Sequence, residues 1–199
     1  MSEERPIERR GFFRAVLGRS LRTAAETMRA VGEGVHDARR ELARRYREAD
    51  EAGGEHWARP PGAVPEDMFR QRCTRCGDCL PACPALAIRE GPDGFPRIEP
   101  NLQACAVCED PLPCIESCET GALLPWPRAS IRLGLARLDP PSCLVVQGRE
   151  CRSCEVHCPF PGEAIRLTDQ GPKIVEASCT GCGLCAVVCP TRAITVGRR

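Results

Sequence analysis

The stretch Cys179-Thr180-Gly181-Cys182-Gly183-Leu184-Cys185-Ala186-Val187-Val188-Cys189-Pro190 sets four cysteines at gaps of two, two and three residues, with proline directly after the last. The same spacing stands far upstream as Cys73, Cys76, Cys79, Cys83 and Pro84. Two stretched copies lie between them. Cys105, Cys108, Cys114 and Cys118 widen the second gap to five residues and put Glu119 in place of the proline. Cys143, Cys151, Cys154, Cys158 and Pro159 widen the first gap to seven. The four sets together use all 16 cysteines of the 199-residue chain, so none is left over.

Cysteines at this density serve disulfides, zinc or iron–sulfur clusters, and spacing separates the three. A disulfide scaffold rarely crowds cysteines two residues apart, because the bridged Cα atoms need room. Structural zinc uses well-separated Cys-x2-Cys pairs rather than unbroken runs. The first and last sets match the run that holds [4Fe–4S] cubanes in bacterial ferredoxins, where three thiolates wrap one cluster and the fourth ligates the other cluster of a pair. The stretched sets keep the three-residue step to the last cysteine and can do the same. Gly77, Gly181 and Gly183 suit a backbone that must curl around an inorganic core. Sixteen cysteine ligands therefore predict four [4Fe–4S] clusters.

Composition agrees. Only 4% of residues are aromatic, while Pro (19) and Gly (18) are abundant. A core of large side chains is thin in such a chain, so bound metal must supply stability that apolar burial does not. The formal net charge of +1 gives no global argument for nucleic acid or an anionic membrane. No nucleophile–base constellation or phosphate-binding loop stands out, so the sequence does not read as an enzyme.

Residues 1–60 hold no cysteine and are rich in Arg, Ala and Glu. There Leu21, Ala24, Met28, Val31, Val35, Ala38, Leu42 and Tyr46 recur at steps of three and four, predicting an amphipathic helix capped by Ser20 and weakened at Gly32 and Gly34. Such a helix either packs on its own cluster domain or docks on a partner. Arg9-Arg10-Gly11-Phe12-Phe13 is similar to a twin-arginine export signal, but Arg19 and Arg22 cut off the apolar run that must follow. A cytoplasmic location is expected, with periplasmic export through a degenerate signal as the alternative. No run approaches the roughly 20 apolar residues of a membrane span. Gly53 to Pro65 reads as a linker. His36, His56 and His157 read as surface or linker residues, and Trp57 and Trp126 as local packing anchors.

Hairpins fill the gaps between motifs. Ala87–Arg89 and Pro96–Glu99 flank a Gly91–Gly94 turn, and Ala164–Leu167 and Lys173–Glu176 flank Asp169–Pro172. The connection through Trp126 to Leu138 is longer, so motif one pairs with two, and three with four. The expected ligand sets are Cys73, Cys76, Cys79 with Cys118; Cys105, Cys108, Cys114 with Cys83; Cys143, Cys151, Cys154 with Cys189; and Cys179, Cys182, Cys185 with Cys158. A nested pairing, one with four and two with three, stays open. The fold class is α+β, with two ferredoxin-like 2[4Fe–4S] domains at 66–135 and 136–199 as a pseudo-repeat, after an N-terminal helical segment and linker at 1–60.

From Cys73 onward the chain resembles the ferredoxin-type accessory proteins of periplasmic nitrate reduction and methylamine utilisation, the NapF, NapG and MauM group. The residues that carry it are Cys105-Ala106-Val107-Cys108-Glu109-Asp110, Gly121-Ala122-Leu123 and the stretch Cys143-Leu144-Val145-Val146-Gln147-Gly148-Arg149-Glu150-Cys151. The resemblance implies a four-cluster electron carrier, or a maturation factor for a molybdenum oxidoreductase, working with a redox enzyme or quinol-linked complex. It also implies export for NapG-like and MauM-like members and a cytoplasmic place for NapF-like ones. The function expected is single-electron transfer to or from a redox partner, and the alternative is an iron–sulfur assembly factor.

Overall fold

The computed structural model describes residues 56–199, together with the isolated positions 28, 29, 34, 37 and 40, which are helical and exposed. The rest of the expected helix from Leu21 to Tyr46 and the Arg9-Arg10 pair lie outside the described residues. Residues 54–199 cluster as one compact unit.

Along that unit, elements are short because the cysteine loops leave little chain between them. Helix α1 (Glu66–Arg72) opens with two acidic residues and closes with two basic ones, which suits its dipole. The hairpin of β1 (Ile88–Glu90) and β2 (Pro96–Ile98) follows one-turn helix α2 (Cys79–Ala82). One-turn helix α3 (Pro113–Glu116) starts on proline, whose fixed φ suits a first helical position. The second half repeats the order with α4 (Ser153–Val156), β4 (Ile165–Thr168), β5 (Gly171–Ile174) and α5 (Leu184–Val187). It is framed by β3 (Leu135–Leu138) and β6 (Ile194–Gly197), which pair antiparallel with Ala136 opposite Val196. The long connection between the second and third motifs thus supplies one strand of this pair.

Both hairpins form where turn residues stand between apolar alternations, with Ile88 opposite Ile98 and Ile165 opposite Ile174. These isoleucines are buried or half-buried and point into two apolar cores, one around Phe69, Ile98 and Val107, the other around Ile165, Ile194 and Val196. Burying Phe69 completely is worth about 1.5–3 kcal/mol. In the first hairpin Arg89 faces Arg97, a like-charge pair that would repel. The buried carboxylate of Glu99 resolves it by pairing with both, at 2.6 Å from Arg97.

The Gly53–Pro65 stretch, expected as a linker, is part of the fold from residue 56 onward. Ala58 bridges Ile98, and Ala63 bridges Leu123. Arg59 pins this segment. Its guanidinium lies over the rings of Trp57, Phe69 and Phe95 at 4.7, 5.1 and 5.4 Å and pairs with Glu66 at 2.8 Å and Asp93 at 3.0 Å. His56 is likewise no surface residue, because it is half-buried with Nε2 on the carbonyl of Leu133. His157 is exposed and bonds its own helix at Ser153. His36 lies outside the described residues. Trp126 stands more than half exposed, tethered locally by an indole N–H to the Ser130 carbonyl.

Candidate metal centres

Three of the four motifs wrap their loops with the same backbone device. The residue before the second cysteine takes positive φ in three of the four motifs, at Arg75 (62°), Val107 (49°) and Gly181 (68°). The residue three after the last cysteine does so at Leu86 (50°), Gly121 (68°) and Arg192 (54°). For a buried β-branched residue such as Val107 this conformation is a true outlier, and such strain persists only where the surroundings over-determine it. Sequence reasoning looked to glycines for these turns and missed the four non-glycine positions, which no residue type announces.

One helical turn then separates the third cysteine from the fourth, as in Cys79 and Cys83 around α2 and Cys185 and Cys189 around α5. Because α2 packs on α3, and α4 on α5, the fourth cysteine of each motif reaches the loop of its neighbour. Four cavities result, and each gathers four sulfurs. Cavity A brings together Cys73, Cys76, Cys79 and Cys118. Cavity B holds Cys83, Cys105, Cys108 and Cys114. Cavity C holds Cys143, Cys151, Cys154 and Cys189. Cavity D holds Cys158, Cys179, Cys182 and Cys185. These are the sets of the one-with-two, three-with-four pairing, and none of these four cavities mixes cysteines as the nested pairing would.

The sulfurs ring a space instead of converging on a point. Among the described residues no three His, Cys, Asp or Glu side chains stand close enough to hold a single metal ion. Four thiols around a largely apolar cavity fit a polynuclear [4Fe–4S] core, which is wider than one ion and takes cysteine sulfur at each iron. Backbone N–H groups already point at the sulfurs, from Ala87 to Cys83 at 3.3 Å, Leu123 to Cys118 at 3.4 Å and Ala193 to Cys189 at 3.2 Å.

Electrostatics separates several of the cysteines from one another. Burial pushes the Cys79 and Cys105 thiols up to about 12, with neighbouring cysteines adding to the effect. Burial likewise raises Cys114 and Cys154 to about 11, and raises Cys185 further. Thiolates in these places need positive charge beside them, which iron supplies on binding. Cys118 and Cys189 go the other way. Burial raises them too, but the hydroxyls of Thr120 and Thr191 and several backbone N–H groups outweigh it, so both thiols fall below the ordinary value.

The two halves meet at a seam where main chain lies directly against main chain, beside the Asn101 side chain paired with Val196. Cys105 N–H donates to the Cys182 carbonyl at 2.9 Å, and Leu133 N–H to the Thr180 carbonyl at 2.7 Å. A Cβ on Gly183 would stand 2.0 Å from the Pro100 carbonyl oxygen, and one on Gly181 would stand 2.3 Å from Gly134 main chain. Only glycine permits that approach. Cavities B and D therefore abut the seam through Cys105 and Cys182, while A and C lie beyond them.

A family model described as a 4Fe-4S binding domain matches residues 172–195, which include all four cysteines of the last motif. The chain is 40% identical over 152 residues to the methylamine utilization ferredoxin-type protein MauM of Paracoccus denitrificans, covering 66% of each protein. It is 35% identical over 200 residues to MauM of Methylophilus methylotrophus, covering 92% of this chain and 82% of the relative. It is 32% identical over 140 residues to the ferredoxin-type protein NapF of Escherichia coli, covering 69% and 82%. The chain thus spans about two thirds of the length of the Paracoccus relative. Among the described residues no helix is long and apolar enough to cross a membrane.

Proposed function

The chain belongs to the ferredoxin-type 4Fe–4S proteins of the MauM, NapG and NapF group, electron-transfer proteins and not enzymes, and on that footing we propose that it passes single electrons through four [4Fe–4S] clusters held by its sixteen cysteines. The observation that carries this reading is the set of four cavities, each lined by four cysteines drawn from two neighbouring motifs.

A [4Fe–4S] core bound in such a cavity supplies a one-electron couple. The protein's own part is to hold the sulfurs, exclude water from them and set the local field. Cys79 and Cys83, or Cys114 and Cys118, link A to B through one helical turn, and Cys154/Cys158 and Cys185/Cys189 link C to D. The Cys105–Cys182 hydrogen bond links B to D. The relay then runs A, B, D, C, with the two ferredoxin-like halves as a pseudo-repeat whose inner sites meet at the seam.

The partner is a redox enzyme or a quinol-linked complex, and the apolar stripe of Leu21 to Tyr46 with its flanking arginines is the segment that docks on it. The interruption of the apolar run by Arg19 and Arg22 supports a cytoplasmic place. The relatives' ferredoxin-type names favour a carrier over an assembly factor. Redox titration of the loaded protein, followed by electron paramagnetic resonance, tests the reading. A carrier shows four reversible one-electron steps, whereas irreversible bleaching with loss of iron to an apo-enzyme would point to cluster donation instead.

A further inference from the structure

We propose that Thr120 and Thr191 raise the reduction potentials of sites A and C above those of B and D, so that an electron rests at the outer sites and crosses the inner pair. This rests on the reading of the four cavities as cluster sites.

The sulfurs that cross from one motif into the neighbouring cavity belong to Cys83, Cys118, Cys158 and Cys189. Two residues after each stand Ala85, Thr120, Phe160 and Thr191. The Thr120 hydroxyl lies 3.6 Å from Cys118 Sγ, and the Thr191 hydroxyl lies 3.7 Å from Cys189 Sγ. Ala85 and Phe160 have no hydroxyl to offer the sulfurs that cross into B and D; in D the Thr180 side chain bonds Cys182, one of the three sulfurs of that loop. One backbone N–H is common to both kinds of site, since Cys83 in site B receives one from Ala87 just as Cys118 does from Leu123 and Cys189 from Ala193; further loop N–H groups act on Cys118 and Cys189 beside the hydroxyls.

In a free thiol either atom can donate. A cysteine that ligates iron has lost its proton, so its sulfur only accepts and the threonine hydroxyl must donate. That bond is stronger to the more negative, reduced state than to the oxidised one, and the difference favours reduction. Exposure acts in the same direction at site A. Cys76 is exposed, whereas Cys105 of B and Cys182 of D are buried at the seam, where the extra negative charge of a reduced core is less well solvated.

The test is a redox titration of anaerobically loaded full-length Thr120→Val and Thr191→Val, with iron counted in each. Each variant is expected to move one of the four couples to a more negative potential, by about tenfold in its reduction equilibrium or ~59 mV for one electron. The other three couples stay in place, and Thr120→Ser and Thr191→Ser restore the shifted one. Should a valine variant fail to load, Ala85→Ser gives the converse, a more positive couple at site B. Full iron content with all four potentials unmoved in the valine variants overturns this inference alone. Absence of cubane signals from the unaltered protein overturns the reading of the cavities, and this inference with it.

Discussion

The backbone N–H of Cys105 donates to the carbonyl of Cys182 at 2.9 Å, joining a cysteine of the second motif to one of the fourth, main chain to main chain. The contact is held by glycine. Gly183→Ala sets a Cβ against the Pro100 carbonyl and strains a residue at φ 91°, so it should lower stability by roughly 2 kcal/mol or more. Gly77→Ala shares the positive φ (85°) but meets nothing within 4 Å, and should cost only about 1–2 kcal/mol. Denaturant melts of the two loaded variants check the difference, and equal losses would remove the seam as a tightly packed junction.

Glu99 holds Arg89 and Arg97 apart electrically while almost wholly buried. Neutralising it takes the shared carboxylate away from two guanidinium-bearing residues that stand opposite each other across the hairpin. Glu99→Gln should therefore destabilise the protein by roughly 3–5 kcal/mol, the range for breaking a buried pair from one side. A loss under about 1 kcal/mol in a melt would show that the arginines find other partners.

Arg192 and Leu86 are exposed residues held at φ 54° and 50°. Glycine relieves about 1–2 kcal/mol of steric cost there and returns about 0.5–1 kcal/mol as unfolded-state entropy. Arg192→Gly and Leu86→Gly should leave stability unchanged or raise it by up to about 1 kcal/mol. A clear loss would mean that these side chains make contacts that outweigh their strain.

The Arg59 pin carries a pH dependence. Hydrogen bonds and charge from Arg59 hold the Glu66 carboxylate below its ordinary range, and they lower Asp93 too, against the opposing effect of its burial. Groups with depressed folded-state values stabilise fully above the ordinary carboxylate range near pH 4, and that help is lost as pH falls through the depressed values. Hydrogen exchange of residues 57–66 should quicken, relative to the rest of the chain, as pH drops below about 4. In Arg59→Met that extra acid sensitivity should shrink to the part that Arg70 supplies to Glu66 and Asp93, and an undiminished sensitivity would assign the effect to other groups.

Much of this architecture is legible in the cysteine spacing. The fixed three-residue step places third and fourth cysteines one helical turn apart, so each fourth cysteine can reach a neighbouring loop, and the longer connection through Trp126 favours Cys118 at the loop of Cys73 and Cys189 at the loop of Cys143. The hairpins were legible as well, because turn residues separate Ile88 from Ile98 and Ile165 from Ile174. What escaped depends on long-range contacts. Pro60, Pro61 and Gly62 look like a linker, yet Arg59 finds three aromatic rings and two carboxylates that are scattered between Trp57 and Phe95 in the sequence. The strand character of Leu135–Leu138 waits on a partner near the far end of the described chain, at Ile194–Gly197. Val107 and Arg75 give no sign of a left-handed backbone, because the loop imposes it on whichever residue stands there.

The central claim is the number of clusters, and metal analysis of anaerobically purified, full-length protein tests it most directly. Four cavities with four cysteines apiece predict about sixteen iron and about sixteen acid-labile sulfide per chain, with the spectroscopic signature of [4Fe–4S] cores. Iron near eight per chain, or stoichiometric zinc in its place, would contradict the account.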